Sequence, residues 1–231
     1  MTNSQEELTM KKQIVFAILA LSLFASAAQF ALAQDLNIDD FTTGKSAILS
    51  FKSGIHTVTQ TGDPSHLIGG TRATTINIAS NPLNQISTFQ FRPDVKNHLS
   101  AFVQNPAFYV SHRVDMQYGN GAPMHADLSP YFSNGFIRLN FLGLTENLNF
   151  NIQLFTGTVW AQGGCNIGYY PGSFSVELPL SKFDDKGINF ADVTYMNFIF
   201  QSTSGVGIVS SAVTSIEVSN VSKPGAISCH F

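Results

Sequence analysis

The sequence predicts an all-β protein, a two-sheet antiparallel β-sandwich folded as a single domain behind an N-terminal leader. Apolar and polar residues alternate with a period of two over most of the chain. Turn dipeptides separate these alternating stretches at short spacing, and no long stretch carries the 3.6-residue period of an amphipathic helix.

The leader comes first. Lys11 and Lys12 form a basic patch, residues 14–24 an apolar run, and Ala31-Leu32-Ala33 a small-x-small cleavage site, which together read as a signal peptide over residues 1–33. The run is shorter than the roughly 20 apolar residues of a membrane-spanning helix, so no membrane span is expected in the mature chain from Gln34 onward. Residues 1–9 are unlike a signal sequence, which makes Met10 an alternative start. The expected location is secreted or periplasmic.

Residues 34–231 suit one large β domain, because sandwiches commonly reach about 200 residues as a single unit. The net charge of −3 argues against nucleic acid as a partner, and charged residues are only 12% of the chain. Neutral hydrogen-bonding groups must therefore cover much of the surface.

In chain order, the first clean alternation places Val110, His112, Val114, Met116 and Tyr118 on one face, with Arg113, Asp115 and Gln117 on the other. Ile137, Leu139 and Phe141 alternate with Arg138 and Asn140. Leu148, Phe150, Ile152 and Leu154 alternate with Asn149, Asn151 and Gln153, so one face is oily and the other amide. Val176 and Leu178 alternate with Ser175 and Glu177, and Met196, Phe198 and Phe200 with Asn197 and Gln201. Each such strand buries one face and offers the other to water or ligand. Asn120-Gly121, Asn134-Gly135, Gly62-Asp63-Pro64, Gly69-Gly70, Asn81-Pro82, Gly163-Gly164 and Asp184–Gly187 mark the breaks between strands. The sandwich is expected over 34–222, with 223–231 as a tail.

Cys165 and Cys229 are the two cysteines, and neither stands in a C-x-x-C or Cys/His cluster. In an exported chain they are expected to pair, tying the tail back to the loop after Trp160. Closing so long a loop stabilises the fold by about 4 kcal/mol in the chain-entropy account.

The outward polar side chains are the first candidates for ligand binding. If their strands were neighbours in one curved sheet, Arg113, Asp115, Arg138, Asn140, Asn151, Gln153 and Glu177 would share a surface of amides, carboxylates and guanidinium groups. Such a surface offers the donor and acceptor pairs that sugar hydroxyls require. An ordinary solvated sheet face gives the same pattern. Trp160, Tyr169 and Tyr170 flank Gly163-Gly164-Cys165 and are candidates for stacking on an apolar ligand face, with burial in the core as the alternative for Trp160. Asp115 with Glu177 could serve a polysaccharide hydrolase or lyase if held about 5 to 9 Å apart across a cleft. No nucleophile-elbow, zincin or dinucleotide-binding motif is present, and the histidines show no ligand spacing.

Several short segments carry a resemblance. They are Ile38-Asp39-Asp40-Phe41, Ile68-Gly69-Gly70-Thr71-Arg72, and Ala126-Asp127-Leu128-Ser129 ahead of a Gly-led strand. Val176–Phe183 and Ile188–Val193, followed by a Phe-rich strand, complete the set. Together they resemble exported bacterial jelly-roll domains of the galactose-binding-like superfamily, and the closing region is similar to the end of noncatalytic carbohydrate-binding modules. The resemblance spans most of residues 35–220. It implies a jelly roll, a nonenzymatic role, a glycan or other cell-surface ligand and no cofactor. It also implies a structural calcium near the first and last strands, where Asp39, Asp40 and Glu217 are the acids. A hydrolase or lyase and an extracellular matrix or assembly protein are the alternative readings, and the oligomeric state is left open.

Overall fold

The computed structural model describes residues 34–93, 100–202 and 209–229. The expected leader over residues 1–33, His98 and His230 lie outside them. The first half of the described chain forms β1 (Leu36–Asp39), β2 (Ala47–Phe51), β3 (Gly54–Thr61), β4 (Thr71–Ser80), β5 (Ser87–Arg92), β6 (Ala101–Asn105) and β7 (Ser111–Tyr118). The second half forms β8 (Phe136–Leu144), β9 (Leu148–Thr156), β10 (Val159–Ile167), β11 (Phe174–Pro179), β12 (Tyr195–Ser202), β13 (Ser211–Ser219) and β14 (Ile227–Ser228).

These strands make the expected two-sheet sandwich. One sheet has eight strands in the order β14-β11-β8-β13-β6-β5-β2, with β1 pairing to β13, and the other six in the order β10-β9-β12-β7-β4-β3. The pairings are antiparallel except the short parallel one between β11 and β14. The chain passes repeatedly from one sheet to the other, as in a jelly roll.

The period of two fills the core. Leu148, Phe150, Ile152 and Leu154 of β9 are fully buried, as are Val114 and Met116 of β7 and Phe198 and Phe200 of β12. The eight-stranded sheet answers with Ile137 and Leu139 of β8, Val176 and Leu178 of β11, and Phe89 and Phe102 of β5 and β6. Each such side chain contributes about 1.5–3 kcal/mol through burial. Polar groups also bridge the layers: His112 of β7 meets the Gln104 side chain of β6 at 3.1 Å, and Gln104 donates to Ser211 of β13 at 3.1 Å. Burial pulls the His112 imidazole down to about 4.

The acids expected to hold calcium have other partners. The Asp39 carboxylate lies in the core, where it accepts from the Arg72 guanidinium, from the Tyr118 hydroxyl at 2.8 Å and from the Phe41 amide at 2.9 Å. Arg72, only 1% exposed, also donates to Gln60 and stacks against the Phe41 and Phe91 rings. Asp40 bonds His66 and Thr42, while Glu217 bonds Arg138. No group of three possible metal-ligating side chains comes together among the described residues. The Ile38–Phe41 motif is therefore a buried clasp joining β1 to β4 and β7. Its charge is satisfied by a guanidinium, as a buried carboxylate requires.

Gly163-Gly164, expected as a break, lies inside β10, which pairs with β9 without interruption. The reason is close packing: a Cβ at Gly164 would meet the Phe150 carbonyl oxygen at 2.1 Å. Cys165 consequently sits on a strand and not in a loop. It forms the disulfide with Cys229, just beyond β14. Because β10 and β14 are the edge strands of their sheets, the bond staples one open side of the sandwich. The tail is more than an appendage, since Ile227 and Ser228 pair with Val176 and Glu177.

Candidate functional site

The outer face of the six-stranded sheet carries the site, and register explains how. Phe155 on β9 lies opposite Trp160 on β10 and opposite Tyr195 on β12, which puts three aromatic side chains in one row across the strands. The Trp160 and Phe155 rings lie nearly parallel, with centroids 6.2 Å apart, and Tyr195 meets Phe155 edge-on at 4.9 Å. Trp160 is 53% exposed, so it is not a core residue. With strands about 4.8 Å apart, the row spans roughly 10 Å.

Next to this row runs a ladder of amides. Gln162, Gln153 and Asn197 are register partners on β10, β9 and β12. Gln153 donates to Gln162 at 3.0 Å, Gln162 to Asn151 at 3.2 Å, and Asn197 to both Gln153 and Asp115 at 3.1 Å. Asn151 donates to Asn149, which donates to Asn166 at 2.9 Å. Arg113 closes the chain by gripping Asp115 through two nitrogens at 2.6 and 2.7 Å. That bond raises the Arg113 guanidinium further. Burial, with the Asp115 carboxylate adding to it, pushes the Tyr195 phenol up to about 12. The face is therefore neutral in sum, with its amides already fixed in orientation by one another.

The structure divides the residues expected to share one surface. Arg113, Asp115, Asn151, Gln153 and Trp160 do come together here. Arg138, Asn140 and Glu177 belong to the eight-stranded sheet and face away on its other side. There Arg138 donates to Glu177 at 2.8 Å and to Glu217 at 2.9 Å. The C-terminal segment covers them, with Ser222 and the Lys223 amide both bonded to Glu177. Asn140 is taken up by Ser215, Ser175 and Lys223. These groups satisfy one another. Asp115 and Glu177, on opposite sheets, do not form a carboxylate pair across a cleft. Tyr169 and Tyr170 also leave the Trp160 face and wall a hollow on the eight-stranded side.

Phe155 and Tyr195 were not among the residues expected from sequence. The signal was there: Phe155 continues the phase of Asn149, Asn151 and Gln153, and Tyr195 heads the phase of Asn197 and Gln201. An aromatic ring on the amide side of a strand is outward-facing by the same alternation that defines the core.

No protein-family model matches the chain, and no curated protein matches it. Solved structures do. The chain is similar to the family 30 carbohydrate-binding module of a cellulosomal cellulase of Clostridium thermocellum, at 12% identity and TM-score 0.46 over 82% of this chain and 99% of that one. It is also similar to the family 11 carbohydrate-binding module of another cellulosomal cellulase of Clostridium thermocellum, at 13% identity and TM-score 0.40 over 86% and 98%. At these identities no residue role carries across.

Proposed function

We propose that this protein is a secreted, nonenzymatic domain that binds a carbohydrate on the outer face of its six-stranded sheet. The observation that carries the reading is the Trp160–Phe155–Tyr195 row lying directly against the amide ladder. A sugar ring has an apolar face and a polar rim. The aromatic row suits the first, at small conformational cost. The ladder suits the second, since its solvent-reaching amides, Gln162, Gln153 and Asn151 among them, carry both donor and acceptor groups for a hydroxyl. Mutual hydrogen bonding holds these side chains in place before a ligand arrives, which limits the ordering cost of binding.

A binding role fits better than hydrolysis because both oxygens of the Asp115 carboxylate are engaged, by Arg113 and Asn197. Secretion is supported by the leader pattern in the sequence and by the disulfide, which persists in oxidising compartments. The test is to purify the chain after export, screen it on an array of neutral glycans and titrate the best by calorimetry. Binding that drops about tenfold in Trp160→Ala is expected, a loss of about 1.4 kcal/mol. Binding of no glycan, or binding indifferent to Trp160, removes the proposal.

A further inference from the structure

We propose a second binding site, on the outer face of the eight-stranded sheet, that takes an anionic saccharide. Two adjoining hollows of about 530 and 350 Å³ lie there and share Leu142 and Tyr170. The larger falls within the range of about 300–1,000 Å³ usual for small-molecule sites. Its floor comes from central strands, with Val103 on β6, Leu142 on β8 and Ala212 on β13. Its wall is Tyr169-Tyr170-Pro171. Tyr170 is anchored there by a reciprocal pair of backbone hydrogen bonds with Leu144, at 2.8 and 2.9 Å, and by ring contact with Phe174 at 4.7 Å. The smaller hollow lies between Tyr170 and the C-terminal segment at Lys223 and Pro224.

Charge decides the ligand class. One cation lines each hollow, Arg92 in the larger and Lys223 in the smaller, and no carboxylate lines either among the described residues. Both cations are held by neutral amides. Arg92 donates to Gln90 at 2.8 Å and Lys223 to Asn140 at 3.2 Å. Arg72, Arg113 and Arg138 instead meet the carboxylates of Asp39, Asp115 and Glu177. In a chain of net charge −3, the described side chains lining this groove include two cations and no carboxylate, a lining that suits an incoming anion. Exposed Tyr169, at 64%, and Leu142, at 45%, supply flat apolar contact, while Gln90, Asn105 and Ser210 supply hydroxyl partners. Rings, amides and two amide-held cations together suit a carboxylate-bearing sugar chain. The neutral Trp160 face on the other sheet has no such charge to offer.

The exported chain should be titrated with a galacturonic acid oligomer and with the neutral galactose oligomer of the same length. The acidic oligomer is expected to bind about tenfold or more tightly than the neutral one, with an affinity that falls as salt rises, because the charges are partly exposed. Arg92→Gln and Lys223→Gln should each weaken it and together remove the salt dependence, while Arg92→Lys should keep it. Tyr169→Ala should weaken binding at every salt concentration; the residue is exposed enough that folding is unaffected. Trp160→Ala should leave it unchanged, which separates this site from the neutral-glycan face. Equal affinity for both oligomers, loss in Trp160→Ala, full binding in the Arg92→Gln/Lys223→Gln double variant, or displacement by an acidic peptide at lower concentration would each overturn the proposal.

Discussion

On the six-stranded sheet, Arg113 grips the buried Asp115 with a side chain 44% exposed, and Gln153 and Gln162 of the same ladder reach the surface while Asn197 is buried. On the eight-stranded sheet, Arg138 is 7% exposed, held between Glu177 and Glu217 beneath the C-terminal segment. Both are Arg-and-acid groups on the outward phase of antiparallel strands. One is a surface and the other is a seam. Alternation determines which way a side chain points, but what lies above it decides whether it can meet a ligand.

Four measurements press on that difference. The largest effect belongs to the seam: Arg138→Met leaves Glu177 buried without its cation and should cost about 3–5 kcal/mol, read as a lower denaturant midpoint at unchanged slope. A loss below about 1 kcal/mol would place Arg138 among surface pairs and erase the distinction. Next comes the interior that separates the faces. His112 is held at about 4 against an ordinary 6.5, so as pH falls below 6.5 the unfolded chain takes up a proton before the folded one does. Stability is therefore full above 6.5 and lost between 6.5 and 4, by about 3 kcal/mol, with no further loss from this group below that. Denaturation across this window should steepen for the native chain and flatten for His112→Gln. Third, Trp160→Ala should lower glycan affinity by about 1–2 kcal/mol while barely moving stability, since half the ring is already in water. A marked fall in melting temperature would mean that the aromatic row is packing and not a platform. The smallest effect is at Arg113→Gln, at most about 1 kcal/mol of stability and less in high salt.

How much of this was legible in the sequence follows from the range of each interaction. The strands around Asn149–Leu154 and Met196–Gln201 were readable because a period of two is a local property. The Cys165–Cys229 pairing was readable because two cysteines leave a single choice of partner. The division of Arg113 from Arg138 was not, because each alternates in the same way and only the pairing of β7 with β12, and of β8 with β11 and β13, sends them to opposite sides. Asp39 misled for a related reason. Its guanidinium partner Arg72 is 33 positions away, and nothing beside the Asp39-Asp40 pair announces that one acid turns inward while the other turns out.

The seam also has an order in time. Arg138 and Glu177 leave the ribosome well before Ser222, Lys223 and Cys229, whose groups complete their shell. A nascent chain arrested just short of Ser222 can align most of both sheets, yet it holds a charged trio open to water and one unpaired thiol at Cys165. Closure of the seam thus waits on the segment that follows β13, and cleavage before Ser222 would strike the charged interior first.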